Sequence, residues 1–282
     1  MPVTYSPLRY PGGKTQLSSF VEDLIKCNGL KGGTYVEPFA GGAGIVWHLL
    51  RHHVVEKVVI NDISKSIYSF WKAVLNDTES LCQLIEETPV TIDEWYRQKE
   101  IQRQAETGLE LAFSTLFLNR VNRSGIITAG VIGGKAQAGK YKLDCRFNKQ
   151  VLIDKISIIA QFSENIMLTR MDAGVFLETI GNELGDKTLI NIDPPYYNKG
   201  KELYQNFYKP DDHEILAKII MKIQQPWMLT YDNTPEIYQL YRHWNPLPFS
   251  LNYSAQLKRK GSELIVFSPL LDYSDSFRQF VA

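Results

Sequence analysis

Asp193-Pro194-Pro195-Tyr196 is the segment best equipped for chemistry. A carboxylate ends the apolar run Thr188 to Ile192, and two prolines and an aromatic ring follow it. Proline has no N–H and a fixed φ, so two in succession make a stiff turn that cannot continue a sheet ladder. Such a turn gathers the Asp193 carboxylate, the Pro194 carbonyl and the Tyr196 ring into one small space. Two acceptors beside a flat apolar face suit an exocyclic amine on a planar base. The plainer reading is a strand-ending turn with a capping aspartate.

A second constellation is Phe39-Ala40-Gly41-Gly42-Ala43-Gly44 with Asp62. Glycines between a strand and a helix allow a sharp turn and close approach of backbone to a ligand. The spacing is not the dinucleotide fingerprint: with Gly42 and Gly44 as the first two glycines, Trp47 occupies the third place. Asp62 lies eighteen residues after Gly44, at the end of the next apolar run. There a carboxylate accepts from ribose hydroxyls in open α/β sheets; read alone, Asp62 also suits a helix N-cap. Together, loop and acid point to a nucleoside-containing cofactor. Pro11-Gly12-Gly13-Lys14-Thr15 ends like a phosphate loop, but Leu8 stands where that motif needs its first glycine, and no strand precedes it. Lys14 is left either to pair a carboxylate or to be an ordinary turn lysine.

These residues need a parallel α/β frame. Thr34-Tyr35-Val36, Lys57 to Ile60, Ile166 to Thr169, Thr188 to Ile192 and Trp227 to Tyr231 read as strands. Ile45 to Arg51 and His213 to Ile223 read as helices between them, and Phe249 to Tyr253 with Glu263 to Phe267 as a closing antiparallel pair across Leu257-Lys258-Arg259-Lys260-Gly261. From about residue 65 to 160 the alternation stops. Ile67 to Leu75, Glu79 to Glu87, Ile92 to Gln104 and Leu109 to Asn119 carry apolar residues at helical spacing, and Asn122 to Gly139 is a long loop without a period. The expected architecture is a Rossmann-like α/β sheet from residues 1–65 and 161–282, interrupted by a helical domain over 66–160.

Composition sets the limits. The chain has 282 residues, 44% of them apolar, enough to fill a core. Thirty-one basic and 31 acidic side chains cancel, which excludes a polybasic binder but not a local patch. Cys27, Cys82 and Cys145 have no C-x-x-C spacing, which argues against a disulfide scaffold and a structural zinc site. Neither a secretion signal nor an apolar run long enough to span a bilayer is visible, so a cytoplasmic protein is expected.

The chain resembles the DNA N6-adenine methyltransferases of the Dam type, in the D12 class that carries a DPPY tetrapeptide. The resemblance rests on Arg9 to Lys14, Tyr35 to Gly44, Asn61-Asp62-Ile63 and Asp193 to Tyr196, in that order, and covers nearly the whole chain. It implies S-adenosylmethionine as cofactor and an inserted target-recognition domain. Tyr10 and Lys14 match cofactor contacts, Lys14 toward the methionine carboxylate. Glu37, Phe39, Gly41 and Gly44 would line the methionine and ribose part. Asp62 would take the ribose hydroxyls, Ile63 the adenine face and Asp172 the adenine amine, while Asp193, Pro194 and Tyr196 form the target-base site. No metal is implied.

Double-stranded DNA is the implied partner, and the sequence holds a patch for it. Between Arg120 and Gln150 there are seven basic residues against the single acid Asp144. Arg120, Arg123, Lys135 and Lys140 belong to this stretch; Asn122 and Ser124 lie in the loop that would enter the DNA. Lys258 and Arg259 form a second patch, and Arg9 is a further base contact. Arg123 would read a guanine edge. A monomer acting on one strand at a time is expected, with a cognate restriction endonuclease as possible partner. Two other readings are an RNA or protein-glutamine methyltransferase and a catalytically dead DNA-binding regulator. The aspartate at 193 and the basic insertion argue against the first, and the intact Asp193, Tyr196 and Lys14 against the second.

Overall fold

A computed structural model of the chain describes residues 4–9, 14–181, 183–198, 208–253 and 259–281. The first elements are α1 (Ser18–Cys27), β1 (Thr34–Glu37), α2 (Gly44–Arg51) and β2 (Lys57–Asn61). Five helices follow: α3 (Lys65–Asn76), α4 (Thr78–Glu87), α5 (Ile92–Gln104), α6 (Leu109–Val121) and α7 (Lys149–Ala160). The chain then resumes with β3 (Ile166–Thr169), α8 (Ala173–Ile180), β4 (Thr188–Ile192), α9 (Pro210–Ile220) and β5 (Trp227–Asp232). It closes with α10 (Pro235–Tyr241), β6 (Leu247–Tyr253), β7 (Arg259–Phe267) and α11 (Ser274–Val281). Among the described residues no helix is long and apolar enough to cross a membrane.

Seven strands form one sheet in the order β3-β2-β1-β4-β5-β7-β6. β1 to β5 run parallel, and β7 is antiparallel to both β5 and β6. All five residues of β4 are buried, as a central parallel strand covered on both faces requires. β1 pairs with β2 on one side and β4 on the other, so the winding reverses between them. The crevice at the carboxyl ends of β1 and β4 is therefore the place where an open α/β sheet binds ligands. Register sets Asp232 of β5 opposite Glu263 of β7, bringing a second pair of acids to the same end of the sheet. Beneath it, Ile192, Leu229, Tyr231, Ile237 and Tyr241 are wholly buried. Arg259 and Lys260, expected in a turn, are strand residues opposite Tyr253 and Asn252.

The chain divides into two compact units. One comprises Lys14–Ile63 and the chain from Asn165 onward, and holds the sheet. The other is Ser64–Glu164 with the N-terminal residues 4–9. The N-terminal segment was expected with the sheet. It joins the helical unit because the Asn119 amide brackets one peptide: the Arg9 N–H donates to Asn119 Oδ1 (2.7 Å), and Asn119 Nδ2 donates to the Arg9 carbonyl (2.8 Å). α6 runs through the centre of this unit, buried on every side from Leu111 to Asn119. Its polar side chains are satisfied internally: Ser114 Oγ donates to the Gln98 carbonyl (2.6 Å) and Thr115 Oγ1 to the Leu111 carbonyl (2.7 Å). Caps start the flanking helices, with Ser64, Thr91 and Asn148 accepting from the N–H three residues on.

Candidate active site

Asp193 follows β4 directly and is held from two sides. Its Oδ1 accepts from Thr230 Oγ1 of β5 at 2.7 Å, and Lys14 Nζ sits 2.8 Å from Oδ1 and 3.2 Å from Oδ2. The same ammonium lies 3.4 Å from Glu263 Oε2 and donates to the Tyr196 hydroxyl at 3.3 Å. Tyr196 in turn donates to Glu263 Oε1 at 2.8 Å. The Lys14 and Glu263 side chains are 3% exposed, Asp193 24%. One buried cation thus serves two carboxylates, of which Asp193 is the one that reaches solvent. Burial raises the Glu263 carboxyl, and the Asp193 charge adds to this, while Lys14 and the Tyr196 hydroxyl pull the other way.

Lys14, expected on the cofactor's carboxylate, is paired with Asp193 and Glu263 in this structure, where burial beside two acids holds its charge. Tyr196, expected to offer an open stacking face, is 8% exposed, and Lys14 Nζ lies 5.1 Å from its ring centroid. The turn itself is fixed by Asp232. The two prolines provide no N–H, and the N–H groups of Tyr197 and Asn198 donate to Asp232 Oδ1 (2.8 Å) and Oδ2 (3.1 Å).

Glu37, the last residue of β1, is 5% exposed. Its Oε1 accepts from the Tyr35 hydroxyl at 3.0 Å and from Asn191 Nδ2 at 3.5 Å. Burial pushes its carboxyl up to about 8, with the Asp193 charge adding to the rise, so it is protonated at neutral pH. It lies beneath the crevice as a neutral acid.

The glycine loop and Asp62 form one hydrogen-bonded piece. Gly41 has φ +46, in the left-handed region, and its N–H donates to Asp62 Oδ2 at 2.9 Å. Gly44 opens α2, and a Cβ there would overlap Thr15 Oγ1. Asn61 stitches three strand ends together. Its Nδ2 donates to the Pro38 and Met171 carbonyls (both 3.0 Å), and its Oδ1 accepts from Thr169 Oγ1 and the Met171 N–H (2.8 and 2.9 Å). Ile63, next to Asp62, is 43% exposed on the wall of a cleft of about 590 Å³. Asp172, Gly174, Val175, Tyr208 and Ile215 complete much of that wall. Phe39 supports it from behind, edge-on to Tyr208 at 5.9 Å. Asp172 caps α8, with its Oδ1 accepting from the N–H groups of Gly174 (2.9 Å) and Val175 (3.2 Å). Aliphatic walls, one tyrosine and the carboxylates of Asp172, Glu178 and Asp212 match the flat apolar base and the polar edge of an adenosyl group, and the volume is that of a small-molecule site.

In the helical unit the expected DNA residues separate into two sets. Asn122 is wholly buried: Trp95 Nε1 donates to its Oδ1 (2.8 Å), and its Nδ2 donates to the Ile126 (3.2 Å) and Ile127 (2.8 Å) carbonyls. It shapes the loop and is not a DNA contact, because a buried amide is spent on its own backbone. Arg9 Nη1 donates to the Asn122 carbonyl at 3.1 Å and the Arg120 carbonyl at 3.5 Å, so its head supports the loop and does not reach outward as a base contact. Arg120 donates to the carbonyls of Arg146 (2.6 Å) and Pro7 (3.4 Å). Burial, then repulsion from Arg9 and Arg146, pushes its pKa down to about 10. Ser124, half-buried, takes the left-handed conformation with φ +56. Arg123, Lys135 and Lys140 are exposed, Lys135 over the Tyr96 ring (5.6 Å) and Lys140 over Tyr141 (5.8 Å). Tyr10 and Lys258 lie outside the described residues, as does the side chain of Arg259.

Sequence reasoning missed Thr230, Asp232, Glu263, Asn61 and Asn119. A signal existed for Glu263, a lone acid heading the apolar run Leu264 to Phe267, and for Thr230 and Asp232, polar residues at the end of an apolar strand. Asn61 and Asn119 gave none, since only the fold reveals which carbonyls they reach.

The type II methyltransferase M.MjaIII of Methanocaldococcus jannaschii is 26% identical over 242 residues, covering 77% of this chain and 80% of that protein. The type II methyltransferase M.CviBI of Paramecium bursaria Chlorella virus NC1A is 22% identical over 273 residues, covering 91% of this chain and 95% of that protein. Among solved structures, a SAM-dependent methyltransferase from Agrobacterium tumefaciens aligns with a TM-score of 0.43 at 10% identity, over 90% of this chain and 62% of that one. Residues 10–257 match the model of the D12 class N6 adenine-specific DNA methyltransferases. The chain belongs to that family, whose members use S-adenosylmethionine to methylate adenine in DNA.

Proposed function

We propose that this chain methylates the N6 amine of an adenine extruded from duplex DNA, directly and at a defined sequence, with Asp193 as the group that receives the amine. One observation carries the reading: a carboxylate fixed by Thr230 and Lys14 at the sheet's ligand-binding end, the partly exposed member, among the described residues, of a buried polar network. The adenine amine is a poor nucleophile because its lone pair is delocalised into the ring. Accepting one N–H at Asp193 and the other at the Pro194 carbonyl favours a pyramidal nitrogen with a localised lone pair, and these preorganised acceptors stabilise the charge that develops there. Lys14 holds the carboxylate in place. Tyr196, anchored through its hydroxyl to Glu263, walls the pocket and keeps the two-proline turn stiff.

The cofactor belongs in the cleft beside Ile63, with its ribose at Asp62, its base against Ile63 and Val175, and its adenine amine at Asp172. Bound there, S-adenosylmethionine supplies a methyl group already activated on a sulfonium, so the protein provides position and electrostatics. A base inside a duplex cannot reach Asp193, hence the extrusion.

The helical unit, residues 66–160 with the N-terminal segment, is assigned to the DNA. Burial, and after it the like charges of neighbouring basic groups, lower the pKa values of Arg9, Arg120 and Lys155, so positive charge is crowded on this unit in a way suited to phosphates. Exposed Arg123 is the candidate for a guanine edge, with Lys135 and Lys140 on the backbone. We place the enzyme in the cytoplasm as a monomer, alongside a restriction endonuclease encoded separately.

Labelled methyl transfer from S-adenosylmethionine to duplex DNA, RNA and protein tests the substrate, with N6-methyladenine as the product sought. Asp193→Ala abolishes transfer and keeps duplex binding. Label in RNA or protein, or normal turnover by that variant, would overturn the assignment.

A further inference from the structure

Away from the crevice, α1 and α2 bring together three metal-ligating side chains. His48 stands in the last turn of α2, and His52 caps that helix four residues later, so the two imidazoles share one helix face. Their rings stack, with centroids 4.2 Å apart and planes 23° from parallel. Glu22 reaches them from α1, its Oε2 2.7 Å from His48 Nε2. One donor atom from each of the three lies within 4.8 Å of the others. A metal at 2.0–2.1 Å from tetrahedral ligands needs those atoms roughly 3.4 Å apart, a separation that small side-chain rotations supply.

We propose that Glu22, His48 and His52 form a binding site for a divalent transition-metal ion, with zinc as the representative, completed by water in the fourth position. Three features favour a metal over a simple ion pair. The donor set, two imidazoles and one carboxylate, suits Zn²⁺, Ni²⁺ or Cu²⁺ and does not suit Mg²⁺ or Ca²⁺, which take oxygen ligands. Lys26 Nζ holds Glu22 Oε1 at 2.6 Å, which orients Oε2 toward the histidines as a single-oxygen ligand. The site lies at the carboxyl end of α2, where the helix dipole favours positive charge. On binding, His48 ligates through Nε2 as a neutral imidazole with its remaining proton on Nδ1, and His48 Nε2 and Glu22 Oε2 turn from each other to the metal. The ion would pin α1 to α2, the helix whose first residue, Gly44, ends the glycine loop.

The test is calorimetric titration of the metal-stripped full-length protein with zinc chloride, beside thermal unfolding with and without zinc. One equivalent should bind, and zinc at about 100 times its dissociation constant should raise Tm by roughly 5–10 °C. His48→Gln, His52→Ala and Glu22→Gln should each weaken binding at least about tenfold, as loss of one of three ligands implies. His53→Asn, which removes the neighbouring imidazole and tolerates the left-handed φ of +51, should bind as the wild type does. Circular dichroism in chelator confirms that the variants fold. Absence of stoichiometric binding, or wild-type affinity in the three ligand variants, would overturn the proposal.

Discussion

Replacing Glu37 by glutamine isolates what it costs to keep an acid at the buried end of β1. Folding moves this carboxyl from 4.5 to about 8, chiefly by burial. Between those pH values the folded protein holds a proton that the unfolded chain has released. Stability from this group is therefore complete below 4.5 and is lost as pH rises toward 8. At about 1.36 kcal/mol per pH unit, the wild type loses about 5 kcal/mol across that window. The Glu37→Gln variant keeps an acceptor for the Tyr35 hydroxyl and carries no titrating proton. Urea unfolding of both proteins, from about pH 5 to about pH 9, cancels every other titrating group in the difference. Wild-type stability minus variant stability should fall with a slope near −1.36 kcal/mol per unit and flatten above about pH 8. A difference that stays constant with pH would mean that Glu37 is already ionised in the fold, and the burial argument would fail.

The helical unit offers sharper contrasts. Asn122→Ala removes three hydrogen bonds, one buried and two part-buried, and should cost about 3 kcal/mol at ~1 kcal/mol per bond, read by urea unfolding. Arg123→Ala, next along the chain and exposed, should leave stability within about 0.5 kcal/mol yet weaken duplex binding. If Lys135 meets a phosphate, Lys135→Ala should lower the slope of log K against log salt by about 1, measured by fluorescence anisotropy. Gly125→Ala should destabilise by more than about 1 kcal/mol, because φ is +77 and a Cβ would overlap the Arg9 carbonyl; normal stability would mean the loop has another conformation.

Legibility in the sequence followed the kind of constraint involved. The parallel strands were readable because burial on both faces leaves continuous apolar runs, and β4 was placed residue for residue from Thr188 to Ile192. The helices α3 to α6 were readable from apolar spacing, while α1, α7, α8, the short α10 and α11 were not singled out. At the site, Asp193 and the Gly41–Asp62 pair stood out because prolines and glycines advertise special backbone. What escaped notice was where long side chains point. Arg9 and Arg120 are basic in any reading, yet their heads turn inward to carbonyls of their own unit, and Lys14 found an acid 179 positions away in the chain. Charge can be counted in a sequence; its partners are fixed only by packing.

β2 and β3 are parallel neighbours, with Asn61 beside Thr169. The polypeptide departs from the sheet at one edge of that pair and has to re-enter at the opposite edge, roughly 13–17 Å away along a strand of four or five residues. Any such crossover needs a dozen residues or more, so Ser64–Glu164 is a connector as well as a folded unit. Exchanging it for the equivalent piece of another enzyme would succeed only with donors whose two ends are spaced to bridge that gap. A donor with ends that meet would drag β3 out of line, and Asp172, which follows it, would be displaced from the cleft.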